Sequence, residues 1–322
     1  MNIQMRGTGS ALPERIMTND DIAKNTDTNH EWIVERTGIC ERHISEGASV
    51  ADLALLACRR ALSDAGVEAS SVELIIVATC SPEMALPCVA CQVQAGLGAT
   101  KAVAYDLNAA CSGYLFALNT AYAYFKSGIY KNALIVGAEV LSKIVDWTDR
   151  GTCILFGDGA GATYIEAEAS DADNYCMVQH ADGSKGMVLS CGNRDIVNPF
   201  HSEKKVPQYV TMDGREIFKF AVSQIPVCIN EVLDKAQMTV EDVDFFLLHQ
   251  ANLRIAASIA KKLNVSMDKV PTNVQNVGNT SSASIPVLLD ECNKKGMFKK
   301  GMKLVLSGFG AGLTYGASVI EW

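Results

Sequence analysis

Long apolar runs are missing from this sequence of 322 residues. A membrane-spanning helix needs roughly 20 consecutive apolar residues, and no stretch of the chain approaches that length. Residues 1–10 have neither the basic start nor the apolar segment of a secretion signal. We therefore expect a cytoplasmic protein that does not associate with membranes.

An excess of basic residues is missing as well. Lys and Arg together number 28 against 36 Asp and Glu, which gives a formal net charge of -8. Proteins that bind nucleic acid need a broad basic surface to meet the phosphates. The composition therefore argues against nucleic acid as a partner, and any basic surface has to be local.

The cysteines do not form the framework of a small disulfide-rich protein. Their number, 11, is odd, and many are scattered singly through apolar segments, as at Cys58, Cys153, Cys228 and Cys292. A reducing compartment fits this pattern best.

One Cys-x-x-Cys pair, Cys88 and Cys91, has no second pair at metal-ligand spacing. We therefore expect no zinc site and no other bound metal. The pair follows Pro87 where a helix is predicted to begin. We interpret both cysteines as core residues and leave a redox role open.

Strand-like apolar segments alternate with segments of helical periodicity through the whole chain, which is typical of α/β proteins. Strands are predicted at 72–79, 103–107, 133–136 and 153–156. The second half repeats the rhythm with a helix at 212–236, a strand at 243–248, a helix after His249 and a final strand at 302–306. A hydrophobic content of 48% is enough to build a large core.

Two glycine-rich segments echo each other. Phe-Gly-Asp-Gly-Ala-Gly-Ala-Thr-Tyr at 156–164 is mirrored by Phe-Gly-Ala-Gly-Leu-Thr-Tyr at 309–315. Neither segment carries the lysine and hydroxyl of a phosphate-binding P-loop. We interpret the echo as a duplicated α/β unit, with halves at 1–170 and 171–322 that are joined through the polar stretch 167–174.

Cys111 is the candidate nucleophile. It lies in Asn-Ala-Ala-Cys-Ser-Gly at 108–113, between a predicted strand and an apolar helix. The amides and dipole of a helix N-terminus stabilise an anion, so this placement predicts a lowered thiol pKa. The alternative is a buried packing cysteine, which is the commoner role for any one cysteine.

His249 and Asn279 each follow a turn of the second half. His249 comes directly after the apolar segment Phe-Phe-Leu-Leu at 245–248, at the strand end where ligands collect in α/β proteins. Asn279 lies in a glycine-bearing turn before a helix predicted at 284–289. Taken singly, such a histidine is usually structural, and such an asparagine is usually a helix N-cap.

Together, Cys111, His249 and Asn279 suit thioester chemistry. Breaking a thioester needs a soft nucleophile, and a thioester enolate is stabilised by two neutral hydrogen-bond donors aimed at one oxygen. An imidazole N–H and a carboxamide N–H supply that pair. The three residue types therefore predict acyl transfer through a cysteine in the first half, with both donors in the second.

Ordered motifs along the chain make the resemblance to a known family specific. They are Glu-Trp-Ile-Val-Glu-Arg-Thr-Gly at 31–38, Ala-Ala-Cys-Ser-Gly at 109–113, Asp-Arg-Gly-Thr at 149–152, Phe-Gly-Asp-Gly-Ala-Gly at 156–161, His-Gln-Ala-Asn-Leu-Arg at 249–254 and Gly-Asn-Thr-Ser at 278–281. The sequence resembles the type III β-ketoacyl-acyl carrier protein synthases of the thiolase superfamily. This resemblance implies a five-layered α-β-α-β-α fold built from two duplicated halves, and a homodimer.

The resemblance also implies a mechanism. An acyl-coenzyme A starter, acetyl or short chain, would acylate Cys111, and malonyl-acyl carrier protein would lose carbon dioxide to give an enolate held by His249 and Asn279. Condensation of the two would initiate fatty acid biosynthesis without a cofactor, since acyl-coenzyme A is a substrate. The backbone N–H groups of Cys111 and Ala311 would form the oxyanion hole.

Further residues are assigned through the same resemblance. Coenzyme A would contact Trp32, Arg36 and Arg150, and the acidic carrier protein would dock on Lys219, Arg254, Lys261 and Lys262. Arg254 and the two lysines of the next helical turns share one face by their spacing. The acyl group would be enclosed by Leu86, Leu141, Phe156 and Met212, with Leu86 reaching across the dimer. An ordinary solvated surface is the alternative for the tryptophan and the basic residues.

Other functions remain open to the sequence. A related ketosynthase could prime a secondary metabolite. A thiol hydrolase would use the same three residue types, although no aromatic residue follows Cys111 as in papain-like proteases. A non-catalytic acyl-coenzyme A binding protein could use the same cavity.

Overall fold

The fold was analysed in a computed structural model that describes residues 2–169, 175–192, 195–202 and 208–322. The strands are β1 (Asn2–Ala11), β2 (Ile16–Thr18), β3 (Glu41–His43), β4 (Leu74–Ala78), β5 (Val103–Leu107), β6 (Asn132–Glu139), β7 (Gly159–Glu168), β8 (Tyr175–Ala181), β9 (Leu189–Cys191), β10 (Val210–Met212), β11 (Phe245–Leu248), β12 (Lys303–Gly310) and β13 (Thr314–Glu321). The helices are α1 (Asn19–Ala23), α2 (His30–Thr37), α3 (Val50–Ala65), α4 (Val89–Leu97), α5 (Gly113–Lys126), α6 (Gly214–Lys235), α7 (Leu253–Leu263), α8 (Val274–Val277) and α9 (Ser284–Lys294).

Two sheets with the same strand order organise the chain. The first has the order β1-β7-β6-β4-β5, in which β4 is parallel to β5 and β6, and β7 is antiparallel to β6 and β1. The second has the order β8-β13-β12-β11, with β11 parallel to β12 and β13 antiparallel to β12 and β8. The strands of the second sheet correspond one by one to β1, β7, β6 and β4 of the first.

Helices fill the spaces beside and between the sheets. Helices α5 and α9 contribute to a buried core that also contains inward side chains of both sheets, among them Ile76 and Leu306. Helices α3 and α4 cover the other face of the first sheet, while α6 and α7 cover the other face of the second. The layers therefore alternate as α-β-α-β-α, and the fold predicted from the sequence is confirmed.

Most predicted elements lie where the sequence placed them. β5 has the predicted bounds, β4 and β11 lie inside theirs, and α6 begins and ends within two residues of the predicted helix. The strand predicted at 302–306 is too short, since β12 continues to Gly310 and β13 follows it. The proposed boundary between residues 170 and 171, within the stretch 167–174, lies outside the described residues.

The strand predicted at 153–156 is wrong. These residues form a buried turn, and only Phe156 makes an isolated parallel bridge, to Asn279. Their backbone groups are taken by other partners: the Arg42 guanidinium donates to the Ile154 carbonyl at 2.7 Å, and the Asn279 N–H donates to the Leu155 carbonyl at 2.8 Å. The apolar run therefore reflects burial, and the turn brings Asn279 to the centre of the molecule.

Among residues 2–169, 175–192, 195–202 and 208–322, none of the helices combines the length and apolarity that a membrane crossing requires.

Candidate active site

Two cavities meet at Cys111. The donor cavity, about 510 Å³, is named for the hydrogen-bond donors His249 and Asn279 in its wall. The cysteine cavity, about 490 Å³, is named for Cys80 and Cys111. Cys111, Phe156 and Leu189 line both. The thiol therefore lies between two spaces, as an acyl-accepting group with substrate on one side and acyl chain on the other would require.

The turn that carries Cys111 is built by close backbone packing. A short 3-10 turn at Ala110–Ser112 joins β5 to α5, and Ala110 adopts a left-handed conformation with φ +48°. Gly310 at the end of β12 lies against this turn, because a Cβ at Gly310 would fall 2.5 Å from the Cys111 backbone nitrogen. Thr314 adds a hydrogen bond to the Ala109 carbonyl at 3.0 Å. The second half of the chain thus holds the nucleophile of the first.

The expected lowering of the Cys111 pKa is not observed. Burial raises the pKa of this thiol to about 12, and a hydrogen bond from the Ser281 side chain opposes the rise only in part. Desolvation disfavours a thiolate, and at this depth it outweighs the N-terminus of α5. The resting protein therefore holds Cys111 as a thiol, and its reaction requires a place for the proton.

His249 follows β11 and is 4% exposed. Its backbone N–H donates to the Ser307 carbonyl at 2.8 Å, and its Nδ1 lies 2.6 Å from the Ser284 hydroxyl. Burial lowers the pKa of His249 to about 3, so the ring is neutral at neutral pH. If the Ser284 hydroxyl donates to Nδ1, the ring proton sits on Nε2, which is then a neutral donor.

Asn279 is not the helix N-cap that the sequence offered as an alternative, because Ala283 is the N-cap of α9. Its Oδ1 accepts the Ser281 backbone N–H at 2.9 Å, which is a local turn contact. Because that N–H can only donate, the carbonyl end of the amide is fixed and the NH₂ end remains for the cavity. Asn279, His249 and Cys111 line the same cavity. The structure therefore brings together the three residues that the sequence singled out.

An aromatic ring and two guanidinium groups stand at the donor cavity. Arg36 and Arg150 lie over the Trp32 ring, with Cζ atoms 4.6 Å and 4.7 Å from its centroid. All three residues line the cavity. Such a cluster can stack on a planar base and bind phosphate groups, because guanidinium groups do both.

The predicted docking residues share one side of the second half. Lys219 is exposed on α6, and Arg254, Lys261 and Lys262 are exposed on α7. Arg254 also lines the donor cavity and lies over the Phe218 ring at 5.7 Å. Arg215, one turn before Lys219 on α6, lines the same cavity and was missed in the sequence. Its position at the start of a helix gave no signal that distinguishes it from a solvated residue.

The predicted acyl wall is distributed over both cavities. Leu141 lines the cysteine cavity, Met212 the donor cavity, and Phe156 both. Leu86 is 84% exposed and lines neither cavity of the single chain. Its place in the acyl wall therefore depends on a second copy of the chain.

Ala311 follows the end of β12 and lines the cysteine cavity, whereas the preceding Gly310 lines the donor cavity. The Ala311 carbonyl accepts the Thr314 hydroxyl at 3.2 Å. The turn between β12 and β13 therefore passes directly beside Cys111, where a backbone N–H could meet a developing oxyanion.

The interpretation of Cys91 as a core residue is wrong, whereas Cys88 is partly buried and packs against the core. Cys88 is the N-cap of α4 and half-buried, and Cys91 is exposed in the first turn. A hydrogen bond with Cys88 contributes most to a raised pKa of Cys91. All 11 cysteines are free thiols. Within the described ranges, no group of three or more His, Cys, Asp or Glu side chains is arranged to hold a metal ion.

Chemistry and geometry together define a class: a thiolase-like protein with a buried cysteine and two neutral donors in one cavity. Residues 105–186 match the family described as 3-Oxoacyl-[acyl-carrier-protein (ACP)] synthase III, and residues 233–322 match its C-terminal counterpart. The chain is 48% identical to the beta-ketoacyl-[acyl-carrier-protein] synthase III of Clostridium acetobutylicum across 100% of this chain and 99% of that protein.

Solved structures of similar proteins superpose closely on this chain. The 3-oxoacyl-[acyl-carrier-protein] synthase III of Aquifex aeolicus superposes with a TM-score of 0.93 at 41% identity, over 99% of this chain and 100% of that one. The priming beta-ketosynthase of the R1128 polyketide pathway gives 0.92 at 33% identity, over 99% of this chain and 96% of that one. The chain belongs to the β-ketoacyl-[acyl-carrier-protein] synthase III family. The predicted activity, an acyl-transferring condensing enzyme that initiates fatty acid biosynthesis, is confirmed.

Proposed function

We propose that the chain condenses an acyl-coenzyme A starter with malonyl-acyl carrier protein in two half-reactions at Cys111. The starter is acetyl or another short acyl group. The observation that carries the proposal is the shared cavity of Cys111, His249 and Asn279, with Trp32 between two guanidinium groups in its wall. We further propose that the enzyme is cytoplasmic. We also propose that it needs no cofactor, because coenzyme A enters as the leaving group of a substrate.

In the first half-reaction the Cys111 sulfur attacks the thioester carbonyl. A bond forms between sulfur and the acyl carbon, and the bond to the coenzyme A sulfur breaks. The oxyanion formed on the way would be met by the backbone N–H groups of Cys111 and Ala311, which is supported by the close packing of Gly310, the residue before Ala311, against the Cys111 backbone. Trp32, Arg36 and Arg150 would hold the adenine and phosphates of coenzyme A.

In the second half-reaction malonyl-acyl carrier protein loses carbon dioxide. The enolate oxygen would accept hydrogen bonds from His249 Nε2 and the Asn279 NH₂ group, since Ser284 and Ser281 occupy the other ends of these side chains. A neutral histidine suits this task because it donates without transferring its proton. The carbanion then attacks the acyl-cysteine, and the β-ketoacyl thioester leaves with the carrier.

Exposed residues of the chain support two proposed partners, the carrier protein and a second copy of the chain. The acidic carrier protein would dock on Lys219, Arg254, Lys261 and Lys262, with Arg215 added from the structure. A homodimer would place Leu86 of one copy at the acyl cavity of the other, which accounts for an 84% exposed leucine in the isolated chain. Leu86, Leu141, Phe156 and Met212 would then set the length of the starter.

The test is intact-mass spectrometry after exposure to a panel of acyl-coenzyme A thioesters, followed by addition of malonyl-acyl carrier protein. We expect a mass gain equal to one acyl group on Cys111, and its loss with release of carbon dioxide and a β-ketoacyl product. No acyl-enzyme with any short starter would contradict the proposal, as would hydrolysis of the acyl group without formation of a carbon–carbon bond.

A further inference from the structure

A buried carboxylate lies beside the nucleophile and has no part in the mechanism so far. Glu139 ends β6 and is 0% exposed. Burying a carboxylate costs several kcal/mol unless hydrogen bonds replace its water. A carboxylate buried at this depth beside a thiol that must react indicates a function as well as a role in packing.

The partners of Glu139 come from two turns that meet at its carboxylate. After β4, the Ser81 hydroxyl donates at 2.5 Å, the Cys80 backbone N–H at 3.1 Å, the Thr79 hydroxyl at 3.2 Å and the Cys80 thiol at 3.4 Å. From the turn before α9, the hydroxyls of Ser282 and Ser281 donate at 2.7 Å and 3.2 Å. The carboxylate is therefore held in one position by donors on both sides.

Ser281 connects this carboxylate to the reaction centre. Its hydroxyl donates to Glu139 at 3.2 Å and lies 4.0 Å from the Cys80 sulfur. Ser281 also lines the same cavity as Cys111, and its side chain lowers the pKa of that thiol. Its backbone N–H fixes Asn279. The turn that carries Ser281 and Ser282 can lie this close to β6 because residue 137 is glycine. A Cβ there would fall 2.1 Å from the Ser282 carbonyl oxygen. Ser281 itself has φ +49°, a conformation that side chains rarely adopt. The chain accepts local strain to place this hydroxyl between a thiol and a carboxylate.

We propose that Glu139, acting through the Ser281 hydroxyl, takes up the proton of Cys111 during acyl transfer and returns it when the ketoacyl product forms. The inference rests on the proposed function, because it concerns the same two half-reactions. Glu139 is a positioning and proton-accepting residue in this scheme, since it reaches the reacting sulfur only through Ser281.

The proton balance of the two half-reactions closes with this pair. In the first, the thiol proton passes to the Ser281 oxygen while the Ser281 proton passes to the carboxylate, and sulfur takes the acyl group. Coenzyme A leaves as a thiolate and is protonated by solvent. In the second, the carbanion attacks the acyl carbon and the carbon–sulfur bond breaks. The Cys111 thiolate then recovers the stored proton along the same path, and carbon dioxide departs.

The charges around Glu139 fit such an exchange. Burial raises the pKa of Glu139, whereas the Ser81 and Ser282 hydroxyls and the Cys80 backbone lower it. The titratable groups that face it are Cys80 and Cys111, and the charge of Glu139 raises the pKa of both. A negative charge on Glu139 and one on Cys111 oppose each other, so one proton shared between them is favoured. His249, across Cys111 in the donor cavity, stays neutral.

The test is the pH profile of acyl-enzyme formation in single-turnover experiments, followed by intact mass. In the wild type, the rate should rise with pH as Glu139 ionises and then reach a plateau. In Glu139→Gln it should fall at least about tenfold near neutral pH, because a general base is worth about 10²–10⁴ in rate. The plateau should be replaced by a rate that climbs tenfold for each pH unit, since only preformed thiolate then reacts. Glu139→Asp should restore the plateau in part.

Ser281→Ala is the second variant, because it leaves Glu139 with its other donors and removes only the connection. It should show the same climbing profile even if Glu139→Gln does not fold. Tyr175→Phe is the control, since it removes buried hydrogen bonds to Asn119 and Ser318 that share no partner with Glu139. Its profile should match that of the wild type.

The outcomes separate the two proposals. If the wild type forms no acyl-enzyme, the proposed function fails. If the wild type is acylated but both Ser281→Ala and Glu139→Gln keep a plateau, at whatever height, Glu139 is structural and the proton-transfer proposal is overturned.

Discussion

The two cavities that meet at Cys111 are built in different ways. The donor cavity is marked by side chains with distinctive chemistry, such as Trp32, His249 and Asn279. The cysteine cavity is lined by small and apolar residues, such as Ala110, Leu141 and Ala311, with the carboxylate of Glu139 directly behind its wall. Under the two proposals, coenzyme A and the enolate would be held on the donor side and the Cys111 proton would be exchanged on the cysteine side, while the acyl wall would include residues of both cavities.

Burial acts in opposite directions on the two sides and leaves both neutral. It lowers the pKa of His249 to about 3 and raises that of Cys111 to about 12. A resting site without charge on either group accommodates a neutral thioester at low cost. The reactive charge, on a thiolate or an enolate, therefore has to be created after the substrate arrives.

The largest effect should come from Cys111→Ala. We expect acyl transfer to fall below detection by intact mass, because no other thiol has the same backbone donors beside it. Decarboxylation of malonyl-acyl carrier protein should persist, since His249 and Asn279 remain. Acyl mass on Cys111→Ala at the wild-type rate would remove Cys111 from its role.

Cys80→Ala is the matched control because Cys80 faces the same cavity. Its pKa is raised well above the usual value by burial and by Glu139, so it should not compete as a nucleophile. Acylation should survive this substitution, and peptide mapping of the wild type should find the acyl group at residue 111 alone.

His249→Ala, made in the Cys111→Ala background, tests the donor side. Decarboxylation should fall by about 10²–10³, the usual loss when one donor to a developing oxyanion is removed. With histidine present, the rate should show no titration of this ring between about pH 5 and about pH 8, since the folded pKa lies below that window and the ring is neutral throughout. A change in the decarboxylation rate centred near pH 6.5, present with His249 and absent in His249→Ala, would show that the ring is protonated in the working enzyme.

Gly310→Ala tests the contact between the halves. Its Cβ would lie 2.5 Å from the Cys111 backbone nitrogen, so the turn must shift. A displacement of about 1 Å can cost about 10² in rate. Gly183→Ala is the control, because a Cβ at that position would have no atom within 4 Å of it. Acylation rates and thermal melting would be measured for both variants. If Gly310→Ala and Gly183→Ala were acylated at the same rate, the assigned contact between Gly310 and the Cys111 turn would be contradicted.

The fold was largely predictable because local signals agreed with the tertiary arrangement. The strands β4 and β11 are continuous apolar runs, as expected for strands covered on both faces. The run at 153–156 is equally apolar but forms a turn, because Arg42 and Asn279 hydrogen-bond to its backbone carbonyls. Both residues lie more than a hundred positions away in the sequence, so no local pattern indicates these contacts.

The donor side was predictable from the residues themselves, whereas Leu141, Phe156 and Ala311 of the cysteine cavity were named only through the family resemblance and Glu139 was missed. Cys111, His249 and Asn279 each follow a recognisable turn, whereas Glu139 ends an apolar strand and its partners come from distant segments. A charged residue at the end of a buried strand was the available signal for it. The raised pKa of Cys111 was missed because the helix N-terminus is visible in the sequence and the depth of burial is not.

Leu86→Phe tests the acyl wall. If Leu86 closes the cavity of a second copy, phenylalanine should shorten it and lower kcat/KM for a four-carbon starter by at least about tenfold, roughly 1.4 kcal/mol. Acetyl transfer should be spared. Ile129→Phe, at another exposed apolar residue, is the control. An equal loss for both starters, or a wild type that refuses everything longer than acetyl, would show that another wall sets chain length.

The smallest effect should come from the surface outside the donor cavity. Reversing charge at Arg254 and Lys261 should raise KM for malonyl-acyl carrier protein by about threefold to tenfold, because each exposed ion pair contributes about 0.2–1 kcal/mol. Added salt should change KM less than in the wild type, since fewer attractive charges remain to be screened. Acylation by acyl-coenzyme A should stay nearly unchanged.

Lys299 and Lys300 provide the matched control. They are exposed and precede β12, so they lie at the strand end opposite Gly310. Reversing both changes the net charge by the same amount as the test variant but at the far end of the strand, and should leave KM for the carrier substrate alone. A similar rise in both double variants would mean that net charge, and no particular surface, attracts the carrier. An equal loss on coenzyme A and carrier substrates in the Arg254 and Lys261 variant would instead show damage to the donor cavity, where Arg254 forms part of the wall.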